Sequence, residues 1–399
     1  MSGQYKYLVV GGGMVADAAA RGIREVDPDG SIGILSEDVD EPYARPALTK
    51  KLWTDPNFEW DQADLHTARD TGADIRTETA VARIYPERRM VTTEDGAEFG
   101  YGILLIATGG HPKHIDLPDD ERVIYFRSAA DYRRLRELAA AGAHVAVVGG
   151  SYIGMELAAA LVQNGSAVTL IFPEATLGEG MFPENLATVF EAKYIEHGVK
   201  LLSGVTAKSG TADAGGITLA LNDGSTLEVD AVVSGLGIEP AVHLATDAGL
   251  EVRDGISVDT YLAASMVGVY AAGDVAMYPD RLLGPRRVEH VDNAKEMGRV
   301  VGHNMAGDVM PYVHTPYYYS TVFDVSYEAV GQLDAGLETV NDWSEPLERG
   351  VVYYVSDGRV VGVLLWNIAG RTDEARGVIG GTNPTGRESL IGRIPLSEG

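Results

Sequence analysis

Two stretches of this sequence, roughly 140 residues apart, share one construction that narrows the folds open to the chain more than any other feature. Each begins with a run of β-branched and apolar residues, breaks on glycine, and resumes as an alanine-rich helix. In the first, Tyr7-Leu8-Val9-Val10 runs into Gly11-Gly12-Gly13-Met14-Val15-Ala16, with a helix expected over Ala18–Val26. In the second, Val145–Val148 runs into Gly149-Gly150-Ser151-Tyr152-Ile153-Gly154 and a helix through Ala160. Strand, tight turn and helix in this order aim backbone N–H groups and a helix N-terminus at one spot, which suits a pyrophosphate. The patterns are G-x-G-x-x-A and G-x-S-x-x-G. Ser151 stands where a second glycine is usual, and its small side chain still permits close backbone approach. A single such motif is equally the mark of a plain βα crossover. Here each copy is followed, about 20 residues on, by an acid at a strand end, Glu37 and Glu174, placed to bond ribose hydroxyls. The repetition predicts two nucleotide-binding domains of one architecture, not a solenoid.

Composition removes other classes. The 399 residues suffice for two or three domains with real cores. A formal net charge of −26 argues against nucleic acid or an anionic membrane as partner. Cysteine is absent, which excludes a disulfide framework, thiolate metal sites and electron relay through a protein dithiol. No metal is expected. No apolar run approaches bilayer length, and the opening MSGQYKYLVV enters a strand at once, so a cytoplasmic location is the expectation.

Between and beyond the two motifs the chain carries further candidates. Glu41–Lys50 holds two prolines and the cations Arg45 and Lys50; as composition alone it is a solvated surface loop. Short strands are predicted over Ala73–Ile84 and Met90–Thr93. Ile103–Ile106 is a buried strand ending in Ala107-Thr108-Gly109-Gly110, where the backbone is free to approach a ligand or the next segment. Asp131–Ala141 is an amphipathic helix. Val267–Ala272 is a strand ending in Gly273-Asp274, with Asp274 either a helix N-cap or a ligand contact. Arg286-Arg287-Val288-Glu289-His290 leads into a helix over Val291–Ala306, and Tyr317-Tyr318-Tyr319 forms a half-buried strand. Val351–Tyr354 and Val360–Trp366 are antiparallel strands joined by an Asp357-Gly358 turn.

Two nucleotide sites without cysteine suggest a flavin and a nicotinamide brought face to face, the flavin coupling hydride donors to one-electron acceptors. A cation near the flavin, steadied by a carboxylate, would favour arriving electron density. Lys50 and Glu156 are candidates, but nothing in the sequence alone joins them.

Resemblance does. Ile34–Trp53, ILSEDVDEPYARPALTKKLW, resembles the flavin domain of apoptosis-inducing factors and, less closely, the ferredoxin reductases that serve oxygenases. Leu170–Glu174, Gly237–Pro240, Gly273-Asp274, Arg286–His290 with Asp292, and Val360–Asn367 extend the similarity in the same order. The resemblance implies an α/β fold with two Rossmann-like, glutathione-reductase-type nucleotide-binding domains and a C-terminal α+β domain. FAD would bind segments 1–124 and 241–312, NADH would bind 125–240, and 313–399 would form the C-terminal domain. By the same resemblance the FAD set is Gly11, Gly13, Ala16, Glu37, Arg45, Lys50, Val81, Ala107, Thr108, Gly109, Arg127 and Asp274. Lys50 would approach N5 with Glu156 as its partner. Glu289 and His290 border the nicotinamide, and Tyr319 replaces a tryptophan common in the family beside the flavin. Gly149, Ser151, Tyr152, Ile153, Gly154, Glu174 and Gly237 would hold NADH, with Glu174 and the nearby Glu179 disfavouring a 2′-phosphate. Lys50, Glu156 and His290 are the implied catalytic residues.

The expected activity is FAD-dependent oxidation of NADH with electrons passed to a small molecule or small redox protein. A ferredoxin- or rubredoxin-reducing component is the alternative, resting on Arg286 and Arg287 as a basic patch. An NADH-sensing interaction protein, whose reduction changes its shape or its pairing with a second copy, is another. Against the mitochondrial family members, the expectation is a chain without a targeting leader, more acidic, and with a short C-terminal domain.

Overall fold

The computed structural model of the protein describes residues 2–139, 142–381 and 386–397. The chain forms two compact units, one of Met1–Pro46, Glu59–His111 and Glu239–Pro316, the other of Ala47–Phe58, Pro112–Ile238 and Tyr317–Gly399.

The first unit is built on a sheet ordered Asp74–Arg76, Ile32–Leu35, Gly3–Val10, Glu98–Ile106, Met90–Thr93 and Val81–Tyr85, with Val269–Ala271 also pairing on Glu98–Ile106. The strands from Asp74–Arg76 to Glu98–Ile106, and Val269–Ala271, run parallel. Parallel strands covered on both faces need unbroken apolar runs, and Leu8–Val10 and Leu104–Ile106 are wholly buried. Helices Met14–Val26 and Val291–Ala306 approach through small residues: a Cβ on Gly22 would lie 2.4 Å from the Arg299 carbonyl oxygen, and one on Gly302 would lie 2.3 Å from that of Ala19. Glycine inside a helix costs about 1 kcal/mol relative to alanine; here it permits backbone contact that any side chain would block. The expected strand Ala73–Ile84 is two strands, because the chain turns between them with Glu78 at φ +50°.

The second unit contains a five-stranded parallel sheet ordered Lys200–Leu202, Ala167–Ile171, His144–Val148, Ala231–Ser234 and Val123–Tyr125. A second sheet is antiparallel, ordered Tyr317–Val322, Val325–Gly331, Arg359–Trp366, Arg349–Ser356 and Glu338–Glu345. The Asp357-Gly358 turn joins two of its strands, both residues at positive φ, as the dipeptide predicts. One face of that sheet sends Tyr327 and Trp366, stacked at 5.8 Å, onto Phe182, whose ring meets them edge-on at 5.4 and 5.3 Å. Such pairs add about 0.5–1.5 kcal/mol each beyond their buried area. Helix Ala129–Ala139 starts two residues earlier than expected, and residues 140 and 141 lie outside those described.

The unit boundaries differ from the segments expected. Residues 112–124 join the second unit rather than ending the first, because Val123–Tyr125 extends its parallel sheet. Ala47–Phe58 also belongs to the second unit. Among the described residues no helix is long and apolar enough to cross a membrane.

Burial raises the phenol pKa of Tyr194, Tyr318, Tyr327 and Tyr354, and pushes Tyr101 up to about 12. A raised folded pKa means that stability is complete below the unfolded value of about 10 and is lost as pH climbs toward the folded one. In an alkaline titration of tyrosinate absorbance, these side chains should ionise only as near-UV circular dichroism collapses. Ionisation of all 19 tyrosines near pH 10 with the dichroism intact would contradict this packing.

Candidate functional site

In the first unit the turn after Gly3–Val10 is pressed against the end of Glu98–Ile106. A Cβ on Gly11, at φ +111°, would sit 2.2 Å from the Ala107 carbonyl oxygen, so only glycine fits. Gly13 is the N-cap of helix Met14–Val26, and no side chain caps that helix start, while Ala16 is fully buried beneath it. Arg45 places Nη2 4.0 Å from where a Cβ on Gly13 would be, setting a cation beside the uncapped amides. Glu37 stands exposed just beyond the second parallel strand. The Thr108 hydroxyl donates to the Ala241 carbonyl at 2.8 Å, and the Ala241 N–H donates to the Gly109 carbonyl at 3.0 Å. Val81 is buried at the edge of the same core, opposite Thr93.

Asp274 lies inside the short 3-10 turn Gly273–Val275, whose N-cap is Ala272; it is therefore not the helix cap that the sequence offered as one reading. Its carbonyl accepts from Arg287 Nη1 at 3.1 Å. Arg287 also pairs with Glu289 at 2.5 Å and Asp254 at 3.5 Å, and its side chain is only 12% exposed. Arg286 turns inward, donating to the Leu283 carbonyl at 3.0 Å. The expected basic patch is thus tied into the fold, Arg287 by two acids and Arg286 by a carbonyl. His290 is the N-cap residue of helix Val291–Ala306.

The second unit repeats the glycine turn. A Cβ on Gly149, at φ +114°, would lie 2.7 Å from the Gly235 carbonyl oxygen, and one on Gly154 would lie 1.8 Å from that of Gly149. Ser151 is the N-cap of helix Tyr152–Gln163, and its hydroxyl donates to the Gly235 carbonyl at 2.7 Å. The departure from glycine therefore adds a tie between the turn and a strand end. Tyr152 and Ile153 are half-buried at the helix start. Gly237 accepts from the Lys113 N–H at 3.0 Å, and the Glu174 carbonyl accepts from Gly204 at 2.8 Å while its side chain stays exposed. The Arg127 N–H donates to Asp131 at 2.9 Å at the head of helix Ala129–Ala139, in the second unit, which also holds Lys50 of the same expected FAD set.

Helix Tyr152–Gln163 is apolar nearly all round, and Glu156 is its one charged residue. The carboxylate, 4% exposed, is taken up completely: Oε1 accepts from Lys50 Nζ at 2.7 Å and from the Ser320 hydroxyl at 2.6 Å, and Oε2 accepts from the Thr49 hydroxyl at 2.6 Å. Lys50 also lies 5.1 Å from the Tyr319 ring centroid. Three distant parts of the sequence meet on one buried acid. Segment Ala47–Phe58 is held for this purpose by Trp53, whose indole N–H bonds the Leu48 carbonyl at 2.7 Å, and by Tyr132 and Asn164, which donate to the Leu52 and Trp53 carbonyls at 3.1 Å each. Burial and the nearby Glu156 charge both raise the Tyr319 phenol pKa, keeping it neutral.

The pairing that only the resemblance supplied is thus present, with Thr49 and Ser320 as partners that sequence reasoning missed. A buried carboxylate is tolerable only when its oxygens are filled. Lys50→Met should lower the free energy of urea unfolding by about 3–5 kcal/mol, and adding Glu156→Gln to it should recover part of the loss. A loss below about 1 kcal/mol, the range of exposed pairs, would show that the pair is not buried as described.

Comparison with known proteins gives concordant results. The family described as "Pyridine nucleotide-disulphide oxidoreductase" matches residues 5–298, and "Apoptosis-inducing factor, mitochondrion-associated, C-term" matches residues 301–348 and 342–381. A mitochondrial apoptosis-inducing-factor sequence of Drosophila melanogaster is 30% identical over 94% of this chain, which spans 63% of that relative's length. Monodehydroascorbate reductase 3 of Arabidopsis thaliana is 31% identical, with 90% of this chain and 89% of the relative covered. Among solved structures, the ferredoxin reductase for the CYP199A2 system of Rhodopseudomonas palustris superposes with a TM-score of 0.87 at 26% identity, covering 97% of this chain and 96% of its own.

Proposed function

The chain belongs to the pyridine nucleotide-disulphide oxidoreductase family, in its apoptosis-inducing-factor-like branch, and from that premise we propose that it is an FAD-dependent NADH oxidoreductase. The observation that carries this reading is the pair of glycine turns, each ending a parallel strand against a carbonyl that leaves no room for a Cβ. Both are cradles fitted to a pyrophosphate approaching backbone. The turn with Gly11, Gly13, Ala16 and the adjacent Arg45 suits FAD, with Glu37 toward its ribose. The turn with Gly149, Ser151 and Gly154 suits NADH, with Glu174 toward its ribose. Bound FAD supplies hydride acceptance and one-electron release.

What the protein's own residues contribute is placement and charge. Lys50 is the cation we assign to the flavin N5 side, and Glu156, Thr49 and Ser320 fix its position so that little reorganisation accompanies reduction. The Lys50 ammonium lies over the aromatic face of Tyr319, which adds a cation–π contact. His290 and Glu289, at the start of helix Val291–Ala306, are assigned to the nicotinamide side. No cysteine exists to receive electrons, so the disulfide chemistry in the family's description has no carrier in this chain.

The acceptor is proposed to be a small molecule. An acidic redox protein would meet a chain of net charge −26 whose Arg286-Arg287 pair is occupied by Glu289, Asp254 and a backbone carbonyl.

Purified protein should be yellow, release FAD on denaturation, and bleach when mixed anaerobically with NADH. A small quinone should restore the colour faster than an acidic ferredoxin does. Absence of FAD, or a flavin that NADH leaves oxidised, would refute the assignment. Gly11→Val, which forces a side chain into the Ala107 carbonyl, should weaken FAD retention at least about tenfold, read from the flavin-to-protein absorbance ratio. Full retention would remove Gly11 from the cradle.

A further inference from the structure

The edge strand Tyr317–Val322 of the second unit has a partly open face that the Glu156 network does not use. Tyr317 and Tyr319 stand on it with ring centroids 6.4 Å apart, and Lys50 Nζ lies 5.1 Å from the centroid of Tyr319. The strand pairing sets Glu328 directly opposite Tyr319, with Leu365 on its other flank, so these side chains share the face. Helix Thr372–Ile379 adds Arg376, whose guanidinium lies 5.8 Å from the Tyr317 centroid. Glu328 is half-buried, and among the described residues its one hydrogen bond runs from the Gly370 N–H to Oε2 at 3.1 Å. Burial raises its pKa above the ordinary carboxyl value, against the smaller opposing effects of the Gly370 amide and the Arg376 charge. Glu156 has three donors on its two oxygens, whereas Glu328 keeps one oxygen open.

An aromatic floor beside a carboxyl with an open oxygen suits a planar carbonyl compound, and a neutral one is not repelled by the net charge of −26. We propose that this face receives a small quinone as the electron acceptor, and that Glu328 is the catalytic acid that protonates it. The proposed oxidation of NADH supplies two electrons and one proton, the equivalent of a hydride. Converting a quinone to its hydroquinone takes two electrons and two protons, so a second proton must come from elsewhere. One quinone oxygen takes the hydride equivalent from the reduced flavin, which is thereby oxidised. The other takes the proton of Glu328: the carboxyl O–H bond breaks, a quinone O–H bond forms, and both carbonyls end as hydroxyls. Water then returns a proton to the carboxylate. A half-buried carboxyl holds its proton closer to neutral pH than an exposed one, which suits it to general acid work. The inference rests on the assignment of Lys50 to the flavin side of the reaction.

The test reduces the FAD-loaded protein anaerobically and follows flavin reoxidation by rapid mixing with p-benzoquinone, which takes up protons, or ferricyanide, which takes none. Glu328→Gln should slow the quinone reaction at least about tenfold and leave the ferricyanide reaction within about twofold of wild type. In the wild type the quinone rate should fall as pH rises through ionisation of Glu328, because only the protonated carboxyl donates, while the ferricyanide rate should not follow it. That profile decides the matter should the variant fail to retain FAD. A binding measurement separates the floor from the acid. Menadione titrated calorimetrically into the oxidised protein should bind Glu328→Gln within about twofold of wild type, and Tyr317→Leu at least about threefold more weakly. A quinone rate untouched by Glu328→Gln, equal slowing with both oxidants, a flat wild-type pH profile, or unchanged menadione binding in Tyr317→Leu would overturn the proposal. A wild type without reducible FAD would instead bring down the underlying oxidoreductase assignment, and the proposal with it.

Discussion

A single buried carboxylate, Glu156, sets much of the architecture of the second unit. An acid at 4% exposure inside an otherwise apolar helix would be prohibitive without partners. Its three donors come from Thr49 and Lys50 on one side and Ser320 on another, 107 and 164 residues away for the two hydroxyls. For them to meet, segment Ala47–Phe58 must leave the N-terminal part of the chain and lodge beside helix Tyr152–Gln163, and the edge strand Tyr317–Val322 must lie across the same helix. The ion pair adds less to net stability than its short distances suggest, because desolvation of both charges opposes it. What it adds is a defined position for Lys50.

The alternation along Tyr317–Val322 explains how the edge strand serves two purposes. Tyr318, Ser320 and Val322 point into the buried side, where Tyr318 meets Tyr152 edge-on at 5.4 Å, while Tyr317 and Tyr319 sit on the other, partly open side. Ser320 is polar on a face that is otherwise aromatic and aliphatic, and Glu156 is the reason. Tyr319, one residue earlier, contacts the same lysine from the opposite face. One strand thereby fixes both the carboxylate that holds Lys50 and the ring that covers it.

The parts of this structure legible in the sequence are those encoded locally. The two glycine turns, the acids after their second strands, the helix Val291–Ala306 and the Asp357-Gly358 hairpin depend on neighbouring residues and stand where the pattern places them. The parts that were not legible depend on contacts across the chain. Nothing near Thr49 or Ser320 marks them as ligands of Glu156, although a serine on the buried side of an apolar strand was a usable signal. Composition showed Arg286 and Arg287 as a basic patch, but charge counting cannot see that Glu289, Asp254 and the Leu283 carbonyl take them up. Ser151 read as a weakened fingerprint, whereas its hydroxyl bond to Gly235 strengthens the turn. The segment 47–58 changed units for the same long-range reason.

If the buried pair exists to hold a cation against the flavin, the reduction potential of the bound FAD must depend on Lys50. The most direct measurement is that potential, taken by anaerobic reductive titration against a reference dye, in the wild type and in Lys50→Gln. Loss of the cation should make the two-electron potential more negative by about 30 mV or more, a tenfold change in the equilibrium. An unchanged potential in a folded, FAD-loaded variant would contradict the account and reduce the Lys50–Glu156 pair to a structural contact.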